Sequence, residues 1–236
     1  MTLPVFLGSD LTPALESLSV GDSATLGGAE GRHAASVRRI GAGEWVDVVD
    51  GLGLCATCEV SGSDKSTLSL IVRELAQEDA PSPEVVLVQA LAKGGRDEAA
   101  VEICTEIGID RVIPWASQRA IVQWKGPKAE KGRAKWEGVA RAAAKQSRRA
   151  YVPVVEDVKD SRELASWVAS VTDEAGVAFV CHEEATESLG AALARIQESS
   201  EEDALPARIA LIVGPEGGIG PEETAQLLDA GARTIG

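Results

Sequence analysis

Aromatic side chains are scarce in this sequence. Two Phe, one Tyr and five Trp amount to 3% of 236 residues, so its cores must be built mainly from Val, Leu, Ile and Ala. Histidine is scarcer still, with only His33 and His182. Of the four cysteines only Cys55 and Cys58 have CxxC spacing, and a tetrahedral zinc centre would want a second pair or nearby histidines. Residues 45–60 read as strands, in which positions i and i+3 point to opposite faces. The cysteines, including Cys104 and Cys181, are therefore read as small structural side chains, and no metal is expected. No apolar run approaches the ~18 residues of a membrane span. Residues 1–6 carry neither a basic start nor a long apolar stretch, so they do not read as a signal peptide. A cytoplasmic location without membrane contact is expected.

Positive charge is also in deficit. There are 23 Lys and Arg against 37 Asp and Glu, a net charge of −14, which argues against a simple basic nucleic-acid binder. The distribution is uneven. Between Lys125 and Arg149 lie nine basic residues, opposed only by Glu130 and Glu137. Arg32, Arg38 and Arg39 form a smaller group. Attraction to phosphate acts over about 10 Å, so a local basic stretch can serve an acidic protein. A solvated helix face accounts for the same pattern.

The pattern along the chain divides in two. Up to about Gln77 it is strand-rich: Glu44–Val49 alternates into the turn signal Asp50-Gly51, and Leu54–Val60 and Ser66–Glu74 follow. Short strands at this spacing suggest a small barrel, with a short helix within Glu30–Ile40. Glu78-Asp79-Ala80-Pro81-Ser82-Pro83 breaks the pattern, which puts a linker at 78–84 between domains 1–77 and 85–236. Strands and helices then alternate: strand Val85–Ala90, helix Asp97–Ile107 closed by Gly108, strand Arg111–Pro114, helix Glu130–Ser147, strand Val177–Cys181, helix Thr186–Glu198, strand Ile209–Val213 and helix Pro221–Ala230. This alternation implies an α/β layer with a mainly parallel sheet.

Ligands of open α/β sheets bind where strands end. Two such ends carry chemistry-bearing residues. One is His182-Glu183-Glu184. The other is Gly214-Pro215-Glu216-Gly217-Gly218-Ile219-Gly220, with four glycines in seven positions. Its exposed backbone could grip a planar polar ligand such as adenine, the following helix N-terminus could favour an anion, or the segment could be a tight structural turn. It is not GxGxxG and has no phosphate-loop lysine. Glu216 is hard to explain as turn chemistry alone. His182 and Glu183 suggest acid–base work, but no nucleophile motif accompanies them, and a lone His at a strand end is more often a packing or hydrogen-bonding residue.

These segments, taken in order, resemble the RsmE family, the 16S rRNA uracil-N3 methyltransferases of the knotted SPOUT class. His33 with Val37-Arg38-Arg39 is similar to the family's PUA-like N-terminal domain. Gln89-Ala90-Leu91-Ala92-Lys93-Gly94-Gly95-Arg96 resembles its QALPKGDR opening, and Thr105–Pro114 its TELGVDRIIP pattern. Arg119 falls in an ERSV-like position, Gln146-Ser147 with Arg149 in an EQSxR segment, His182-Glu183 in an HE loop, and Gly214–Ile219 in GPEGGI. The resemblance implies a SPOUT-type knotted α/β domain preceded by a small PUA-like β-barrel. It implies S-adenosylmethionine as methyl donor, a homodimer, and a uridine of small-subunit (16S) ribosomal RNA as target. On that basis Arg149 and Glu216 are the catalytic candidates. His182, Glu183, Gly214, Glu216, Gly217, Gly218 and Ile219 are expected to hold the donor. His33, Arg38, Arg39, Lys93, Arg119, Lys145, Gln146 and Arg149 are expected to meet RNA. Ala92 replaces the family's proline, and Arg148 its glycine. The family continues past the position of Gly236 with a segment that completes the knot, so a longer chain is expected. A tRNA ribose methyltransferase of the same class, or a non-catalytic RNA-binding module, are the rival readings.

Overall fold

The computed structural model describes residues 2–199 and 204–236, which form two compact units. The first runs to Ala80 and takes in Ala144–Val152; the second comprises Pro81–Ala143 and Pro153–Gly236. The return of Ala144–Val152 to the first unit is not foreshadowed by sequence pattern. It follows from packing: Tyr151 lies so close to Gly53 that a Cβ there would sit 2.5 Å from the ring, and its hydroxyl donates to the Glu78 carbonyl at 3.0 Å.

The first unit contains six strands: β1 (Val5–Leu7), β2 (Leu11–Thr12), β3 (Ser23–Leu26), β4 (Trp45–Val49), β5 (Leu54–Ser63) and β6 (Leu68–Gln77). They form one sheet in the order β1-β4-β5-β6-β3-β2. Alternation does what it should: Val46, Val48, Ala56, Cys58, Val60, Leu68, Leu70 and Val72 share one core. Asp50 closes the β4–β5 turn by accepting from the amides of Leu52 (2.6 Å) and Leu54 (3.0 Å). The helix anticipated within residues 30–40 is α1 (Gly28–Arg32) running into a π-helical turn, His33–Val37. Burial, helped by Asp47, pushes the thiols of Cys55 and Cys58 up to about 11 and about 12. Both are therefore protonated, and no cluster of three or more metal-type side chains exists among the described residues.

The strands of the second unit are β7 (Glu84–Ala90), β8 (Arg111–Ala116), β9 (Val154–Val155), β10 (Lys159–Asp160), β11 (Val177–Cys181), β12 (Arg208–Val213) and β13 (Arg233–Ile235). They form a parallel sheet in the order β10-β8-β7-β12-β11-β13, with β9 also on β8. The helices are α2 (Arg96–Ile107), α4 (Ser161–Asp173), α5 (Leu189–Glu198) and α6 (Pro221–Asp229), with most of α3 (Pro127–Ser147). Successive strand residues face opposite ways. Val86, Val88 and Ala90 meet Leu164 and Val168 of α4 and Leu227 of α6. Leu87 meets Val101 of α2 and Trp136 and Ala140 of α3. Burial on both faces explains why these strands read as continuous apolar runs. Helix α4 was not anticipated, although Asp160 and Glu163 form a reciprocal cap at its start. The helix anticipated from Thr186 begins instead at Leu189, because the Ser188 hydroxyl caps it at the Ala191 amide. No helix is long and apolar enough to cross a membrane among the described residues.

The N-terminal ends of the three central strands are tied by charge. Glu84 accepts from Arg111 at 2.7 Å and from Arg208 at 2.5 Å, and these reach on to Glu156 (2.9 Å) and Glu174 (3.2 Å). Partial burial pushes the Glu84 carboxyl up, but the two guanidiniums outweigh it and hold it below the usual carboxylate range. A lowered folded-state value stabilises above the ordinary carboxylate range and is lost as pH falls through the folded value. Glu84→Gln should therefore cost about 1 kcal/mol at neutral pH, the scale for a partly exposed charged network. Calorimetric melting across pH should show that deficit shrinking in acid; an equal deficit in acid would exclude this role.

Candidate active site

Every strand of the second unit's sheet runs the same way, so its exit loops gather along one edge. Reading across from β8, these are Ser117–Arg119, then Leu91–Gly95 after β7, Gly214–Gly220 after β12, His182–Ser188 after β11 and Gly236 after β13.

The glycine-rich loop is shaped by close approach. A Cβ on Gly214 would sit 2.6 Å from Ile219 Cγ1, so only glycine lets Ile219 fold under the strand end into the core. The Gly218 amide closes a turn on the Pro215 carbonyl at 2.9 Å, with Gly218 at φ +70°. Glu216, Gly217 and Gly218 are left exposed. Below the loop lies Glu223, only 1% exposed. It accepts from the Gln118 amide at 2.8 Å, the Gly220 amide at 3.4 Å and the Ser161 hydroxyl, while the Trp115 indole donates to Ser161 at 3.2 Å. This buried network joins β8, the start of α4 and the start of α6. In the sequence Glu223 is one of two adjacent acids in a first helical turn and was not among the expected site residues. The signal available was its place three residues after the N-cap, where a side chain reaches back to the cap amide.

Glu216 acts as a clasp between loops. Its carboxylate accepts from the Lys93 amide at 3.1 Å and lies 3.7 Å from the Arg96 guanidinium. Its own amide hydrogen bond, with the Lys93 amide and the charges of Arg96 and Lys93, outweighs desolvation and holds its carboxyl below the usual range. Arg96 was not among the expected site residues. On the other side Arg119 donates to the Gly217 carbonyl at 3.1 Å and remains exposed, with further guanidinium donors to offer. The structure thus brings Lys93, Arg119, Glu216 and Gly217–Ile219 together.

His182 occupies the neighbouring loop. Its amide donates to the Ile235 carbonyl at 2.8 Å and its Nδ1 accepts from the Glu184 amide at 3.2 Å, which leaves the ring proton of a neutral imidazole on Nε2. Glu183 is exposed beside it. The glycine-rich loop presents main-chain donors and acceptors with little side-chain bulk, a donor set that fits a planar, polar group such as adenosine.

The remaining expected residues belong to the first unit. His33, Arg38 and Arg39 are exposed on the turn after α1, with the His33 ring edge-on to Phe6 at 6.2 Å. Gln146 is exposed and Arg149 half-buried. Lys145 is paired with Glu30 at 2.6 Å, and Glu30 also accepts from the Leu7 amide. A phosphate would have to compete with that carboxylate. Of the two catalytic candidates, Glu216 lies in the second unit and Arg149 in the first.

If Glu216 is a clasp, Glu216→Gln should raise hydrogen exchange at Lys93 and Gly217–Ile219 by roughly tenfold, the scale of a weakened local interaction. Because the carboxyl is held low, the wild-type loop should stay protected above the ordinary carboxylate range and loosen as pH falls through the lowered value. Unaltered exchange in the variant would remove the clasp from consideration.

Comparison with known proteins adds to this geometry. The RNA methyltransferase domain family matches residues 78–236, and the RNA methyltransferase PUA domain family matches residues 26–73. Ribosomal RNA small subunit methyltransferase E of Mycobacterium bovis is 40% identical over 215 residues, covering 91% of this chain and 79% of that protein. The Bacillus subtilis protein of the same name is 30% identical over 212 residues, covering 89% and 80%. The crystal structure of ribosomal RNA small subunit methyltransferase E from Neisseria gonorrhoeae, bound to S-adenosyl methionine, superposes with a TM-score of 0.80 at 25% identity, covering 100% of this chain and 89% of that one. The fold anticipated from sequence, a mainly parallel α/β domain preceded by a PUA domain, is the fold found. The chain belongs to the RNA methyltransferase family, among the relatives that carry the name ribosomal RNA small subunit methyltransferase E.

Proposed function

We propose that this protein transfers a methyl group from S-adenosylmethionine to N3 of a uridine in small-subunit (16S) ribosomal RNA, in the cytoplasm and as a homodimer. The observation that carries the reading is the strand-end loop Gly214–Gly220, whose exposed backbone lies beside the guanidinium of Arg119. The names of its relatives, and the donor bound in the Neisseria structure, agree with it. Dimerisation has support in Ile103 and Ile107, 58% and 78% exposed on one face of α2.

When bound, the donor supplies an electrophilic methyl carbon on a sulfonium. Gly214, Gly217, Gly218 and Ile219 would hold its adenosine through main-chain groups, with His182 and Glu183 on the neighbouring side. Transfer to N3 needs aligned reactants and loss of the N3 proton. Arg119, whose guanidinium donates to the Gly217 carbonyl, would stabilise the uracil anion, and Arg149 is the second candidate. Glu216, tied to Lys93 and Arg96 and held low in pKa, is a poor proton acceptor. We assign it to positioning rather than to base catalysis. His33, Arg38, Arg39, Lys93, Lys145, Gln146 and Arg149 would contact the RNA.

The test is to incubate the protein with unmethylated small subunits and labelled donor, then map modified nucleotides by mass. N3-methyluridine in small-subunit RNA is expected; label on tRNA ribose, or none, would overturn the proposal. Arg119→Gln should slow single-turnover transfer about 10–100-fold at neutral pH and shift the rise of rate with pH upward, because uracil then ionises without a nearby cation. A proportional loss at every pH would exclude that role for Arg119.

A further inference from the structure

A second feature of the same unit adjoins the glycine-rich loop. A cleft of about 640 Å³ opens between the Lys93-Gly94-Gly95 loop, residues 122–124 and one face of α3. Its volume lies within the ~300–1,000 Å³ common for ligand sites. Lys128, Lys131 and Lys135 line it from α3, spaced so that they share a helix face over about 10 Å. Lys93 lines it from the loop after β7.

The two acids that line the cleft, Asp97 and Glu98, are already engaged. Asp97 is 5% exposed, and its carboxylate accepts from the Ala92 and Glu98 amides at 3.1 and 2.9 Å. Glu98 is paired with Lys135 at 2.5 Å. Lys128 and Lys131 are exposed, and neither forms an ion pair among the described residues. In a chain of net charge −14, two unpaired lysines side by side are a local departure that attracts an anion.

The wall also carries an indole. Trp124 lines the cleft and is held edge-on to the buried Trp136, with ring centres 5.0 Å apart at 69°. Gly132 permits this, since a Cβ there would lie 2.3 Å from the Trp124 ring. Lysines in a row with a fixed indole beside them are the elements of single-strand recognition: cations for successive phosphates and a flat face for an unpaired base.

We propose that this cleft binds a single-stranded RNA segment flanking the target nucleotide, its phosphates on Lys128 and Lys131 and a base on Trp124. The proposal rests on the RNA-methyltransferase reading above and extends it to a named subsite. Lys93 links the two places, because it lines the cleft while its amide holds Glu216 of the glycine-rich loop. A strand lying in the cleft would thus lead to the loop beside Arg119.

The test measures fluorescence anisotropy of a labelled single-stranded RNA dodecamer with the full chain over a salt series. K128Q/K131Q should weaken binding tenfold or more and make the log–log salt slope shallower by about 1.4, that is about 0.7 for each phosphate no longer neutralised. W124L should weaken it several-fold and leave the slope unchanged, while W124F keeps an aromatic face and should bind close to wild type. Thermal melting checks that each variant folds. Folded K128Q/K131Q and W124L proteins that bind as tightly as a wild type competent in rRNA methylation would overturn this subsite alone. A wild type with no affinity for RNA would overturn the functional reading on which it rests.

Discussion

The parallel pairing of β12 between β7 and β11 is the constraint on which the site depends. Val213 at the end of β12 stands opposite Gln89 of β7, and Ile212 opposite Val180 of β11. That register fixes where three chain exits emerge. The Glu216 clasp can reach Lys93 only because β7 and β12 are direct neighbours, although the residues are 123 positions apart. A one-residue slip of either strand would turn its whole apolar set to the wrong face. Full burial of Val86, Val88, Ala210 and Ile212 therefore protects the geometry of the loop beyond them.

The two ends of this sheet solve opposite problems. At the N-terminal end, Glu84 draws Arg111 and Arg208 together, and long side chains join the strands. At the C-terminal end the Gly214–Gly220 loop presents its backbone, and its one charged side chain, Glu216, is turned to the Lys93 amide. Glycine at 214 is required because Ile219 occupies the space a Cβ would fill. Rigidity comes from underneath, through Glu223 with its three donors. The exposed turn can stay open to a ligand because the carboxylate below it binds the loops into one piece.

Much of this was legible in the sequence, and the reasons are specific. Val177–Cys181 was bounded correctly because a strand buried on both faces is an unbroken apolar run. Gly108 marked the end of α2, where it sits at φ +119°. The glycine-rich segment stood out as a candidate ligand loop because it follows such a strand. What stayed hidden needed tertiary partners. Glu223 looks like an ordinary helix-start acid until Ser161 and Gln118 are brought to it. Arg96 and Trp124 acquire roles only when distant loops are folded beside them. Ala144–Ser147 continues the helical pattern of α3, and only the packing of Tyr151 on Gly53 shows that Ala144–Val152 belongs with the first unit. Lys145 illustrates the converse, since a basic residue in a basic run turns out to be engaged by Glu30.

An acidic protein that must meet a polyanion has to manage its own carboxylates as carefully as its lysines. Near the glycine-rich loop and the adjoining cleft, each of these acids has a partner: Glu216 has Lys93 and Arg96, Glu98 has Lys135, and Asp97 and Glu223 are buried under backbone and hydroxyl donors. Repulsion between exposed charges falls off over about 10 Å at ordinary salt, so acids elsewhere on the surface matter little to a strand bound there. The net charge of the chain thus says almost nothing about this edge. What governs it is which carboxylates are already satisfied, and Glu216 shows how closely the two needs are joined: the one acid in the exposed loop is held ionised by amides and cations, so it fixes the loop while its charge is largely cancelled.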